Sequence, residues 1–145
     1  MITIEGRRTL PFPLTTVFGR LSDASFLATC LGPLISCEAT TEAAKWRLRP
    51  TGGIVSGNVD GVTTILERVP ESKIRVEQKV KGSSFTAKTE IAFVLSDING
   101  STEVAWKADV LDKTGLLRMV PGSMIRTTVE TSVGEIWADV EAKLA

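Results

Sequence analysis

The chain has no histidine and no tyrosine among its 145 residues. Without histidine there is no Ser-His-Asp or Cys-His catalysis within the chain, and the commonest zinc ligand is missing. Neither sign of charge is in excess: 17 lysines and arginines balance 17 aspartates and glutamates. A whole-surface nucleic-acid binder would be basic, so that class is set aside. No apolar run reaches the ~20 residues of a membrane span. The first residues, Met1 to Glu5, alternate like a strand and lack the charged head and apolar body of a signal peptide. A cytoplasmic protein in a reducing compartment is therefore expected. There are only two cysteines, Cys30 and Cys37, on either side of Gly32 and Pro33. Free thiols are expected of them, and no metal or cofactor is indicated.

What is present starts at the far end. From Pro121 to Ala145, Met124, Ile125, Val129, Val133, Ile136, Trp137, Val140 and Leu144 recur at three- and four-residue steps. That spacing predicts one long helix with an apolar stripe. Arg126, Glu130, Glu135, Asp139, Glu141 and Lys143 fall on the opposite, wet face. Such a helix would span roughly 35 Å and needs a broad surface to lie on.

Most of the preceding chain reads as strand. Met1 to Leu10 alternates, and Pro11-Phe12-Pro13 ends it. Leu14 to Leu21 and Asp23 to Leu31 read as short helices, capped by Thr15 or Thr16 and by Ser22 or Asp23. The pair lacks exposed basic residues on its second helix, so a DNA-reading role is rejected. Strands follow at Leu34 to Ala39, Ala44 to Arg49, Ile54 to Val69, Lys73 to Lys81, Phe85 to Leu95 and Glu103 to Leu111. Gly57 and Gly61 inside one strand suggest bulges or a sharp bend. Asn99-Gly100 is a strong hairpin turn. Leu116 to Met119 reads as one helical turn. The order predicts a single α+β domain over residues 1–145, with a curved antiparallel sheet of about seven strands around the last helix.

Period-two alternation puts Trp46, Leu48, Ile74, Val76, Gln78, Phe85, Thr89, Ile91, Phe93 and Trp106 on one concave face. Met124, Ile125, Thr128 and Ser132 would meet them from the helix. Large apolar and small polar residues mixed in this way can line a ligand cavity. The same pattern suits a solid core, because periodicity does not tell wall from filling. Gln78, pointing inward, needs a partner in the structure or in a ligand. Arg8 either shares the interior, where it would need an anion or carboxylate, or is exposed, the reading preferred here. Asp60 is a general base if buried, and otherwise a solvated turn or bulge residue. Lys45, Arg47, Arg49, Lys73, Arg75, Lys79 and Lys81 share the outer face, which could meet acidic lipid or an acidic partner protein but reads first as an ordinary solvated surface broken by Glu77.

Several stretches carry a resemblance. They are Pro13-Leu14-Thr15-Thr16-Val17-Phe18, Leu21-Ser22-Asp23, the run from Leu27 to Pro33, Val104 to Val110, and Gly115-Leu116-Leu117. With the element order, they resemble the helix-grip (SRPBCC, START-like, Bet v 1-like) superfamily. Within it, they look most like the family of the carbon monoxide dehydrogenase G-subunit, with the Gly32-Pro33 order reversed. The resemblance implies a cavity under the long helix for a lipid, quinone or similar hydrophobic molecule. It also implies an accessory role beside a molybdenum hydroxylase, with no transmembrane segment but with peripheral membrane contact left open. The alternative it offers is a polyketide cyclase-like enzyme using polar cavity residues.

Overall fold

The computed structural model describes residues 2–31, 34–49, 57–82 and 85–145. Seven strands form one antiparallel sheet: β1 (Ile2–Leu10), β2 (Leu34–Ala39), β3 (Ala43–Leu48), β4 (Val59–Val69), β5 (Lys73–Lys81), β6 (Phe85–Ile98) and β7 (Ser101–Gly115). Their spatial order is β1-β7-β6-β5-β4-β3-β2, so β1 and β2 are the two edges. Helices α1 (Leu14–Leu21) and α2 (Ala24–Thr29) lie between β1 and β2 in sequence. A 3₁₀ turn (Leu116–Met119) leads from β7 into α3 (Gly122–Leu144).

The element order matches the sequence expectation, and the differences are local. The α1 N-terminus is capped by neither Thr15 nor Thr16; it starts after Pro13, with no side-chain cap. Proline's fixed φ is already suited to a helix start. Asp23 caps α2 as expected, accepting from the Ser25 amide at 2.9 Å. The strand expected from Ile54 is described from Val59 onward; its earlier part lies outside the described residues. Strands β6 and β7 run further than expected, to a hairpin whose turn residues have φ of +52° at Asn99 and +88° at Gly100. Two consecutive positive φ values are what the expected two-residue turn demands.

Bulges shape the sheet, but not at the expected glycines. Pairing slips between Ile65 and Glu67 on β4, between Leu34 and Ser36 on β2, and opposite Lys88 and Thr89, where β7 carries an extra residue. The residues left over are Leu66, Ile35 and Leu111, and each is ejected to an exposed position. A bulge bends its strand and increases local twist. It also resets which side chains face inward. After the β4 bulge, Arg68 reaches the helix pair and donates to the Ser22 and Thr41 carbonyls at 2.8–3.0 Å.

Helix α3 runs along β1 on the sheet's inner side. Arg126 donates to the Thr3 carbonyl at 2.9 Å near its start, and Lys143 reaches the Thr29 carbonyl at the end of α2 near its finish. Between these, the Trp137 ring meets Phe93 of β6 edge to face, with centroids 5.9 Å apart. Ile125, Trp137 and Val140 are buried, whereas Val129, Val133 and Ile136 are only half-buried. The apolar stripe is thus anchored at both ends and partly open between.

Candidate functional site

Register fixes which residues share the inner face. Trp46 pairs with Gly61, Gly61 with Val80 and Val80 with Ala87. One step along, Thr63 pairs with Gln78 and Gln78 with Thr89. Further on, Val76 faces Ile91 and Ile74 faces Phe93, which faces Trp106. Ten of the residues singled out from sequence therefore stand on one surface: Trp46, Leu48, Ile74, Val76, Gln78, Phe85, Thr89, Ile91, Phe93 and Trp106. From α3, Ile125 is buried and Thr128 half-buried. Met124 is half exposed in the first turn, and Ser132 lines a separate cleft beside Thr29 and Cys30. These last two are not brought to the sheet.

Three aromatic rings on this face lie over glycines. A Cβ on Gly6 would come 2.8 Å from the Trp106 ring. One on Gly61 would overlap Trp46, and one on Gly82 would overlap Phe85. This is why the glycine at 61 is there. It makes a flat seat for an indole, a role its position inside a strand did not reveal. A ring lying against backbone takes little height above the sheet.

The ends and middle of the face differ in burial. Ile74, Val76 and Val104 are fully buried, close to the Phe93–Trp137 contact. Leu48, Val80, Phe85, Ile91 and Trp106 face inward yet remain half-buried. The polar residues form a relay across three strands: the Trp46 indole N–H donates to Thr63 Oγ1 at 3.0 Å. The Thr63 hydroxyl in turn donates to Gln78 Oε1 at 3.1 Å. The Gln78 amide nitrogen donates to no other group among the described residues. Gln78 therefore has a side-chain partner for its carbonyl and a free donor on the same inner face.

Two charged residues whose placement the alternation left open are now placed. Arg8 is not exposed; it faces α3, half-buried, and its Nε donates to Glu141 Oε1 at 3.0 Å. Glu141 is thereby drawn off the wet face to which spacing assigned it. A half-buried guanidinium needs a carboxylate partner, and the helix supplies it from 133 residues away. Asp60 points outward and receives the Arg47 Nε at 2.6 Å. That hydrogen bond holds its carboxyl below the ordinary carboxylate range, the opposite of what a general base needs.

The sheet's outer face carries a concavity of about 890 Å³. Residues 45–47 of β3, 60–62 of β4, 79–81 of β5 and 86–88 of β6 line it. In each triplet the flanking members point outward and the middle one inward, so the floor is strand backbone. Among the described residues, none from a helix takes part. Alternation assigned these lysines and arginines a common face but missed its hollow shape, which comes from strand twist and bulging.

Cys30 is buried and Cys37 exposed, both as free thiols. Burial pushes the Cys30 thiol pKa up, against a smaller opposing effect of Lys143.

A curved antiparallel sheet holding a long C-terminal helix, with two short helices after the first strand, defines a START-like helix-grip protein. Solved structures agree. The conserved protein of Geobacillus kaustophilus superposes with a TM-score of 0.86 at 17% identity, covering 99% of this chain and 95% of that one. A START superfamily protein from Mycobacterium smegmatis gives 0.72 at 13% identity, covering 98% and 96%. The Mll3558 protein of Rhizobium loti gives 0.71 at 14%, covering 97% and 95%. No curated protein matches the chain. The family pattern of the carbon monoxide dehydrogenase G-subunit (CoxG) matches residues 6–145, and the chain belongs to that family. Among the described residues, no helix is long and apolar enough to cross a membrane.

Proposed function

We propose that residues 1–145 are a single domain that binds a hydrophobic small molecule, a quinone or lipid, between the inner face of the sheet and the middle of α3. The observation that carries this reading is the half-burial of inward apolar residues. Leu48, Val80, Phe85, Ile91 and Trp106 on the sheet, with Val129 and Val133 on α3, turn toward the interior without being closed off. Interiors at native density leave such side chains fully covered. The rings lying over Gly6, Gly61 and Gly82 support the same reading, since they give the face an aromatic lining. The free amide donor of Gln78 suits a ligand carbonyl such as that of a quinone or an acyl chain. Thr89 and Thr128 would add polar contacts.

The family assignment supports a role beside a molybdenum hydroxylase such as carbon monoxide dehydrogenase. The two free thiols support a reducing compartment, which is the cytoplasm on this reading. Of the groups a cyclase-like reaction could use, Asp60 faces outward and is held ionised by Arg47, while Arg8 is paired with Glu141.

The test is a thermal-shift panel of ubiquinone and menaquinone analogues and long-chain fatty acids, with native mass spectrometry of the protein as expressed. A ligand at a hundredfold excess over its Kd stabilises by about 2.7 kcal/mol. For a chain of this size that is roughly 5–10 °C in Tm. Val129→Trp, which fills the space from the helix side, is expected to keep the fold and remove the shift. No bound mass and no shift with any member of the panel would sink the reading.

A further inference from the structure

The outward concavity has no part in the ligand reading above and stands on separate observations. We propose that it is a docking groove for an acidic polypeptide segment of a partner protein.

Register places its cations. Lys45 pairs with Val62, and Val62 with Lys79; Arg47 pairs with Asp60, and Asp60 with Lys81. Two cations on β3 and two on β5 thus stand either side of β4. They are roughly 10 Å apart across the strands and about 7 Å apart along them. Lys88, opposite Lys79 on β6, adds a fifth. The carboxylates lining the same hollow are Glu38, Asp60 and Asp112. Five positive groups against three negative ones leave the groove electropositive in a chain whose net charge is zero.

The cations also differ in how far they are already satisfied. Arg47 is committed to Asp60. Lys79 and Lys88 share Glu77, each at 3.6 Å. Lys45 and Lys81 have no carboxylate within salt-bridge distance among the described residues. These two, on diagonal corners of the grid, are open to an incoming anion.

Shape selects the kind of anion. The lining reaches from Glu38 on β2 to Asp112 on β7, six strands and a run of about 24 Å, which an extended chain covers in roughly seven residues. Its floor is strand backbone with Val62 at the centre, so an acidic chain with small apolar side chains between its carboxylates would match floor and rim together. A flat anionic bilayer would meet the rim and leave the floor empty.

The full-length chain is titrated into a fluorescein-labelled peptide of alternating glutamate and alanine, at low and at physiological salt, with anisotropy as the readout. Lys45→Glu with Lys81→Glu is expected to weaken binding about tenfold or more, and salt to weaken it in the unmodified chain. Lys107→Glu with Arg118→Glu changes net charge equally, away from the groove, and is expected to leave most of the binding. Equal loss in both pairs overturns the proposal, as does no binding by the unmodified chain. Phosphatidylglycerol vesicles binding in place of the peptide would also overturn it. Should the groove variant fail to fold by circular dichroism, amide shifts in the unmodified chain decide. Changes centred on residues 45, 62, 79 and 81 support the groove, and changes elsewhere defeat it. Quinone or fatty-acid shifts are expected to be the same in both variants, so this result and the inner-face result stand or fall separately.

Discussion

Gly61 shows how much a single absent methyl group can decide. Its hydrogen is the seat of the Trp46 ring, whose indole starts the relay to Thr63 and Gln78. Gly61→Ala is expected to displace that ring and cost about 1–3 kcal/mol, the usual range for overpacking. Urea unfolding with an unchanged m-value checks it. A loss below about 0.5 kcal/mol would mean that the ring is not held there. The cysteines give a second residue-scale expectation. With Ellman's reagent near neutral pH, the folded chain should expose one reactive thiol, Cys37, and the denatured chain two. Burial raises the Cys30 pKa above its ordinary 9.0. The folded state therefore keeps this proton where the unfolded state releases it. Its effect on stability is nil well below pH 9, and stability falls as pH rises through and beyond that value. Two fast-reacting thiols in the folded chain would contradict the burial.

At the scale of elements, α3 is held at its ends and open in its middle, and Gly134 lies in that middle. A Cβ there meets nothing within 4 Å, so neither close packing nor a neighbouring ring requires the glycine. Gly134→Ala should therefore stabilise the chain by about 1 kcal/mol, the ordinary helix-interior difference. Thermal melts of the two chains measure it, and a destabilised variant would show that the glycine has a packing role. Elements were also what the sequence displayed best. Strand and helix periodicities of Ile74-Val76-Val80 and Ile125-Trp137-Val140 are local signals, and Asn99-Gly100 names its own turn. What stayed hidden depended on pairing between distant segments. The Arg8–Glu141 contact, the seat at Gly61 and the bulges at Ile35, Leu66 and Leu111 exist only once strands are in register. A bulge adds one residue to a strand without changing its composition, so alternation alone reads straight through it.

At the scale of the whole molecule, the sheet presents two unlike surfaces. The inner one is apolar, carries the relay and faces α3. The outer one is charged and hollow between β3 and β6. The inner surface was legible as a face, but the seating of its rings over glycines was not, because that depends on strand pairing. The outer surface was legible as basic but not as concave, because concavity comes from twist. Inner and outer expectations, for a ligand and for a partner segment, are thus independent claims on opposite sides of one layer.

The placement of the indoles has an optical consequence. All three tryptophans, Trp46, Trp106 and Trp137, lie on the helix side of the sheet, and the chain has no tyrosine to emit alongside them. Emission excited at the red edge of protein absorption therefore comes wholly from the interior. A quinone lodged there would quench it without any label, while an acidic chain lying on the far side of the strands would leave its intensity nearly unchanged.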